Sequence, residues 1–259
     1  MPKPVALITG ASSGIGLELA RCCAADGYRV VLVARDPKRL EEAAQHIRDE
    51  FKVEVFALAH DLALPSAPAV LVEETRKLGL SVHTLINNAG FAIHGAFRET
   101  DLNEELEELA VNIGAVTELT KRFLPDMLKA RDGRILNVAS LAAFLPGPLM
   151  SVYYASKAYV LSFSLALRNE LQGTGVRVTC LCPGATATNF SRRAHIAGTG
   201  LEKASRMSAA AVAAAGYRGL KKGRNIVIPG YLNSLQAFSL RFAPRGLAAA
   251  VARRLHERR

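Results

Sequence analysis

Seven short apolar runs alternating with helical patterns constrain this chain more than any other feature. The runs fall at 5–8, 30–34, 53–59, 82–86, 135–138, 176–181 and 226–228, several rich in Val and Ile, with the length and composition of buried strands. Helical patterns lie between them near 14–26, 38–50, 66–78, 101–129, 152–171 and 208–221. Strands that alternate with helices pair in parallel through right-handed crossovers, leaving helices on both faces of the sheet. The expected class is therefore α/β, a doubly wound parallel sheet of about seven strands. No linker or repeat interrupts the pattern, which predicts one domain over 1–230. Residues 184–207, small and rich in Gly and Ser, follow Pro183-Gly184 and are expected to form a substrate lid. Residues 231–259 extend past the last strand as a tail.

Half of the 259 residues are hydrophobic, enough for a large core and too many for intrinsic disorder. No apolar run reaches 18 residues, which excludes a membrane-spanning helix. Met1-Pro2-Lys3-Pro4 runs straight into Val5, without the apolar core of a secretory signal. Cys22-Cys23 and Cys180-Leu181-Cys182 contain no CxxC and read as buried free thiols in a reducing compartment, so a cytoplasmic location is expected. The six histidines show no metal-ligand spacing, and no metal is expected.

Charge is unevenly placed. From Arg192 onward there are 14 Lys/Arg against 2 Asp/Glu, whereas the rest of the chain is close to neutral. This basic quarter lacks interleaved aromatics and any recognition motif, which argues against nucleic-acid binding. It either meets an anionic surface or keeps an alanine-rich segment soluble.

Thr9-Gly10-Ala11-Ser12-Ser13-Gly14-Ile15-Gly16 lies between the first strand and the first helix. Glycines there permit the tight turn, clear space for a pyrophosphate and let helix approach strand, while the helix N-terminus offers N–H groups to phosphates. The second strand ends Val33-Ala34-Arg35-Asp36. Arginine at that point suits a ribose 2′-phosphate and an acid suits a free 2′-hydroxyl. Arg35 therefore predicts NADP(H) in preference to NAD(H). The competing reading gives the hydroxyl to Asp36, and Ser13, not being basic, adds no second cation.

Tyr153 and Lys157 stand at i and i+4 and so share one helix face. A phenol titrates near 10, too high to exchange protons readily at neutral pH. A neighbouring ammonium that lowers it by ~2–3 units, ~3–4 kcal/mol, makes it a general acid for reducing a carbonyl and a base for the reverse. Tyr154 fails the spacing test, because its i+4 partner is Ala158.

With these motifs in this order, the chain over about residues 5–230 resembles the compact, single-domain branch of the short-chain dehydrogenase/reductase family, whose fold is of Rossmann type. The 9–16 segment matches its TGxxxGIG turn. Asp61, followed by Leu62, resembles its adenine contact, and Asn87-Asn88-Ala89-Gly90 matches its NNAG strand end. Asn112 sits where the family keeps a helix-interrupting asparagine. Ser140 lies thirteen residues before Tyr153, followed by alanine where glycine is common. Pro183-Gly184 with Thr186 and Thr188 resembles the segment flanking the nicotinamide amide. The resemblance implies that Ser140 holds the substrate oxygen, Lys157 also holds the nicotinamide ribose, and Asn112 anchors a water in a proton relay. It also implies a homodimer or homotetramer formed through the 152–171 helix.

Phe91, Ile93, Phe144, Leu145, Leu149, Met150, Phe190 and Ile196 make the segments 91–100, 141–151 and 184–207 apolar. They predict a hydrophobic ketone, aldehyde or 3-oxoacyl substrate, or simply fill the core. His94 either faces the substrate or is an ordinary loop residue. In the tail, Leu247, Val251 and Leu255 form a stripe beside Arg253, Arg254, Arg258 and Arg259. Three readings of the tail stay open: packing on the body or a partner subunit, peripheral contact with a membrane, and steering of an anionic substrate. The function expected is NADPH-dependent carbonyl reduction. The alternatives are NAD(H)-dependent oxidation of secondary alcohols and a catalytically silent cofactor-binding regulator on the same fold.

Overall fold

In the computed structural model, which describes residues 3–188, 190, 194 and 207–257, apolar side chains alternate between two layers along every central strand. Val5 and Leu7 of β1 (Val5–Thr9) face one core cluster, and Ala6 and Ile8 face the other. β2 (Arg29–Ala34) divides in the same way, Val31 and Val33 against Val30 and Leu32. A period of two with both faces apolar is what a sheet covered on both sides requires. The layers are built by α1 (Gly14–Ala25), α2 (Pro37–Phe51) and α7 (Ala209–Lys221) on one face. On the other lie α3 (Ala67–Lys77), α5 (Val116–Ala130) and α6 (Ser151–Glu170).

The remaining strands are β3 (Val55–Ala59), β4 (Val82–Asn87), β5 (Gly133–Val138), β6 (Val176–Leu181) and β9 (Ile226–Val227). With β1 and β2 they form one parallel sheet in the order β3-β2-β1-β4-β5-β6-β9. This is the seven-stranded Rossmann-type sheet that the alternation predicts. β7 (Thr186–Ala187) and β8 (Met207–Ser208) pair separately, above the carboxyl end of β6. The strand order reverses between β1 and β4, and the gap opened there at the carboxyl ends is where such sheets bind ligands.

The segment expected as a helix over 101–129 is helical without a break from Leu102 to Ala130, with a π turn in its middle. α4 (Leu102–Leu109) is capped by Asp101, whose carboxylate accepts the Asn103 and Glu104 N–H groups at 2.8 and 3.1 Å. A π-helical turn follows over Ala110–Ala115, and α5 then continues. The wider turn carries Asn112, a placement typical of functional positions.

The tail forms α8 (Tyr231–Ser239) and α9 (Arg245–His256). Its buried residues are Ala237, Ala248, Ala252 and His256. The stripe Leu247, Val251 and Leu255, which packing on the body would have buried, is 44–59% exposed. One residue is about 100° of helix, so the small stripe beside it faces the body. Most of the expected lid, including Ile196, and also Arg258 and Arg259, lie outside the described residues.

Candidate active site

Thr9 ends β1 with its side chain buried, and its hydroxyl oxygen accepts the Asn88 and Ala89 N–H groups at 3.0 and 2.9 Å. Asn88 returns the contact: its amide donates to the carbonyls of Thr9 at 2.9 Å and Gly10 at 3.2 Å. The end of β4 and the glycine turn are thereby fastened as one piece. A Cβ on Gly16 would overlap the Gly10 carbonyl and the Asn88 amide, so this glycine serves helix–strand approach rather than ligand clearance. Ser13 is the N-cap of α1 but makes no side-chain cap bond, which leaves the helix N-terminus open. Gly10, Ser12, Ser13, Gly14 and Ile15 line a cavity of about 1240 Å³ there. A phosphate fits this end, because N–H groups left unpaired at a helix start bind anions.

The same cavity reaches Arg35, Asp36 and Arg39 at the end of β2, and Asp61, Leu62, Asn88, Ala89 and Gly90 at the ends of β3 and β4. Asp36 is engaged: its carboxylate accepts the Arg39 N–H at 3.1 Å as the cap of α2 and pairs with the Arg39 guanidinium at 3.4 Å. Arg35 is exposed. Asp61 accepts the Ala63 N–H at 3.1 Å while lining the cavity. At the far end the walls are Ser140, Tyr153, Lys157, Pro183, Gly184, Thr186, Thr188 and Phe190. At about 1240 Å³ the cavity has the volume for a dinucleotide with a second molecule beside it.

Tyr153 and Lys157 share one face of α6, as their spacing requires, and both are buried. The Lys157 ammonium donates to the Val138 carbonyl at 3.0 Å and lies 5.7 Å from the centre of the Tyr153 ring. Burial holds Lys157 down to about 8, against the opposing pull of Glu108. Burial likewise pushes Tyr153 up to about 12, and the hydrogen bond from Ser140 draws it back only in part. Burial thus opposes the lowering that the Tyr–Lys spacing predicts. With the ammonium bonded to a carbonyl and lying against the ring, desolvation dominates. Ser140 caps the short 3₁₀ turn Leu141–Phe144 by accepting the Ala142 N–H at 3.1 Å.

Asn112 is fully buried behind these groups and does not line the cavity. Its amide donates to the Phe91 carbonyl at 2.9 Å and the Ser156 hydroxyl at 3.1 Å, and its oxygen accepts the Phe91 N–H at 3.2 Å. Four residues earlier is Glu108, which sequence reasoning missed. It is fully buried, accepts the Ile93 N–H at 3.0 Å and is pushed by burial up to about 8. An acid in the run Glu104-Glu105-Leu106-Glu107-Glu108 reads as solvated, and only its i+4 spacing to Asn112 hints otherwise.

A second network closes the substrate end. His256 of α9 donates from Nδ1 to the Pro148 carbonyl at 2.6 Å, so its Nε2 accepts the Tyr154 hydroxyl at 2.8 Å. Burial lowers its pKa and keeps it neutral, consistent with that tautomer. His94 does not line the cavity; its Nε2 donates to the His256 carbonyl at 2.8 Å. Asn233 of α8 sits where a Cβ on Gly184 would be, and with Gln236, Ala252 and Leu255 it lines the cavity. Of the apolar residues expected at the substrate, Phe91, Leu145, Met150 and Phe190 line it, whereas Ile93, Phe144 and Leu149 do not.

Among the described residues no cluster of ligating side chains could hold a metal ion, and no helix is long and apolar enough to cross a membrane. The four cysteines are unbridged.

Comparison with known proteins agrees with this geometry. The short chain dehydrogenase family model matches residues 4–197. A very-long-chain 3-oxoacyl-CoA reductase of Pyrenophora tritici-repentis is 37% identical over 193 residues, 72% of this chain, which spans 56% of that protein. The fold superimposes on a short-chain dehydrogenase from Sphingobium yanoikuyae in complex with NADPH, with TM-score 0.84, 35% identity and 94% of each chain covered. It also superimposes on a bulky-bulky ketone specific alcohol dehydrogenase from Comamonas testosteroni, with TM-score 0.81, 30% identity and coverage of 95% and 94%. The chain belongs to the short-chain dehydrogenase/reductase family, as an NAD(P)-dependent oxidoreductase acting on carbonyl and alcohol groups.

Proposed function

We propose that the protein is an NADPH-dependent reductase of bulky, apolar carbonyl compounds, whether ketones, aldehydes or 3-oxoacyl chains. The observation that carries this reading is one continuous cavity with Arg35 at one end and Ser140, Tyr153 and Lys157 at the other. Arg35 and Arg39 present cationic groups to a 2′-phosphate, while Asp36, the residue a free 2′-hydroxyl would need, caps α2. The ketone specificity of the Comamonas enzyme and the NADPH of the Sphingobium complex point the same way.

When bound, the reduced nicotinamide supplies the hydride. In this reading Ser140 donates a hydrogen bond to the carbonyl oxygen and Tyr153 gives that oxygen its proton. Lys157 holds the ribose, and its charge eases loss of the phenolic proton. Asn112 braces the floor through Phe91 and Ser156. Phe91, Leu145, Met150 and Phe190 receive the apolar body of the substrate. The protein works in the cytoplasm as a homodimer or homotetramer paired through α6, an arrangement that light scattering checks.

Paired fluorescence titration with NADPH and NADH tests the cofactor assignment. We expect NADPH to bind at least tenfold more tightly, ~1.4 kcal/mol, and Arg35→Asp to abolish the difference. Equal affinities would leave NAD(H)-dependent alcohol oxidation as the better reading.

A further inference from the structure

α8 and α9 have two faces of opposite character. The inner one is small or polar and forms cavity wall through Asn233, Gln236 and Ala252. The outer one carries Leu232, Phe238, Leu247, Val251 and Leu255, with Phe242 in the turn between the helices, each 44–78% exposed. Large apolar side chains at this density on two consecutive helices exceed the scattered exposure of an ordinary surface. Leu255 belongs to both faces, lining the cavity while 44% exposed, so the apolar stripe of α9 ends at the cavity rim. Residues 231–259 also hold six arginines against one glutamate. Arg253 pairs with Glu257 at 3.0 Å, whereas exposed Arg241, Arg245 and Arg254 make no salt bridge among the described residues.

We propose that α8 and α9 form an interfacial docking surface for an anionic lipid bilayer, with the cavity rim at the contact. Apolar side chains between unpaired arginines suit the headgroup boundary, where the chains enter the acyl layer and the guanidinium groups stay with phosphate. A second copy of the chain fits less well. A two-fold contact through this face would bring together two surfaces of the same positive sign, each carrying Arg241, Arg245 and Arg254 with one glutamate to offset them. The docking itself needs no assumption about activity. That a lipid-dissolved carbonyl enters at the rim rests on the function proposed above.

The test is co-sedimentation of the full chain with phosphatidylglycerol/phosphatidylcholine vesicles and with pure phosphatidylcholine vesicles. Binding to the anionic vesicles is expected, weakening with salt. The pair Phe238→Asp, Phe242→Asp should reduce it at least tenfold, and the triple Arg241→Gln, Arg245→Gln, Arg254→Gln several-fold. These sites are exposed, and an unchanged NADPH titration on the same samples verifies that the variants are folded. Because the chain has no tryptophan, Leu255→Trp introduces a sole indole at the rim. Its emission should shift to the blue on anionic vesicles, whereas Leu78→Trp, at the end of α3 just before β4 and so at the amino end of the strands, away from the cavity, should not shift. Absence of binding by the intact protein, binding indifferent to both sets of substitutions, or an unshifted rim indole would each overturn the proposal. So would a dimer in solution that the two Phe→Asp changes dissociate. Failure to bind NADPH in a protein that still sediments would strike the proposed function and leave the docking surface standing.

Discussion

On one side of the cavity, Asn88 and Thr9 lock β4 to the glycine turn through part-buried bonds to backbone groups. On the substrate side, α8 and α9 rest on the body through three alanines and one histidine. The first arrangement is specified by hydrogen-bond direction and deprives two part-buried carbonyls of their partner if Asn88 changes. The second is specified mainly by lack of volume, which many sequences can supply. The comparison teaches why one wall of such a site is fixed by motif and the other is free to differ. It also separates the consequences of substitution: changes on the first wall should damage stability and cofactor binding together, and changes on the second should alter substrate binding and leave cofactor binding intact.

The largest expected effect lies on the seam between the walls. Tyr153→Phe should lower turnover by ~10²–10⁴-fold while leaving NADPH affinity unchanged, as a titration beside a rate assay would show. Turnover within a few-fold of the parent would remove Tyr153 from the chemistry. Next comes the buried Glu108. Its pKa is raised to about 8 in the folded state from an ordinary 4.5, so the native protein holds a proton the unfolded chain has lost. Stability from this group is fully present below pH 4.5 and declines as pH rises toward 8, by up to ~1.4 kcal/mol per unit. Lys157, lowered to about 8 from 10.5, acts in the opposite sense between those values. The urea midpoint should therefore fall from pH 5 to 7.5, and Glu108→Gln should flatten that slope. Parallel slopes in parent and variant would exclude Glu108 as the titrating group.

Two smaller effects test the walls directly. Asn88→Ala should cost ~1–3 kcal/mol through unpaired carbonyls and weaken NADPH binding in step, read by urea unfolding and titration. His256→Ala should cost ~1 kcal/mol by freeing the Tyr154 hydroxyl and change KM for bulky ketones several-fold with NADPH affinity unaltered. If His256→Ala impaired NADPH binding as much as Asn88→Ala did, the distinction between the walls would collapse.

What the sequence made legible follows the same division. The strands could be read because parallel sheets need apolar residues on both faces, and Val30–Val33 supply them to two layers. The glycine turn and the Tyr–Lys spacing were readable because each expresses a local geometric requirement. The inward face of α9 was not, because hydropathy favours Leu247, Val251 and Leu255 over the smaller Ala248 and Ala252 that the close approach to the cavity selects. Glu108 was hidden in the same way: an acid on an amphipathic helix looks solvated unless the π turn at 110–115 that reorients its neighbours is known. His94 and His256 are 162 residues apart in sequence, and no local pattern announces that they meet.

The adjacent tyrosines of α6 have a consequence for redesign. Tyr153 faces the reacting centre, while Tyr154, the next residue along the helix, holds the outlying helices through His256. The two side chains leave the backbone in different directions, but their rings meet edge to face with centroids 6.0 Å apart and both line the cavity. Residues 231–257 can accordingly be grafted or diversified only with the whole His256 latch retained, its bonds to Tyr154, Pro148 and His94 together, because a change there reaches the Tyr153 ring.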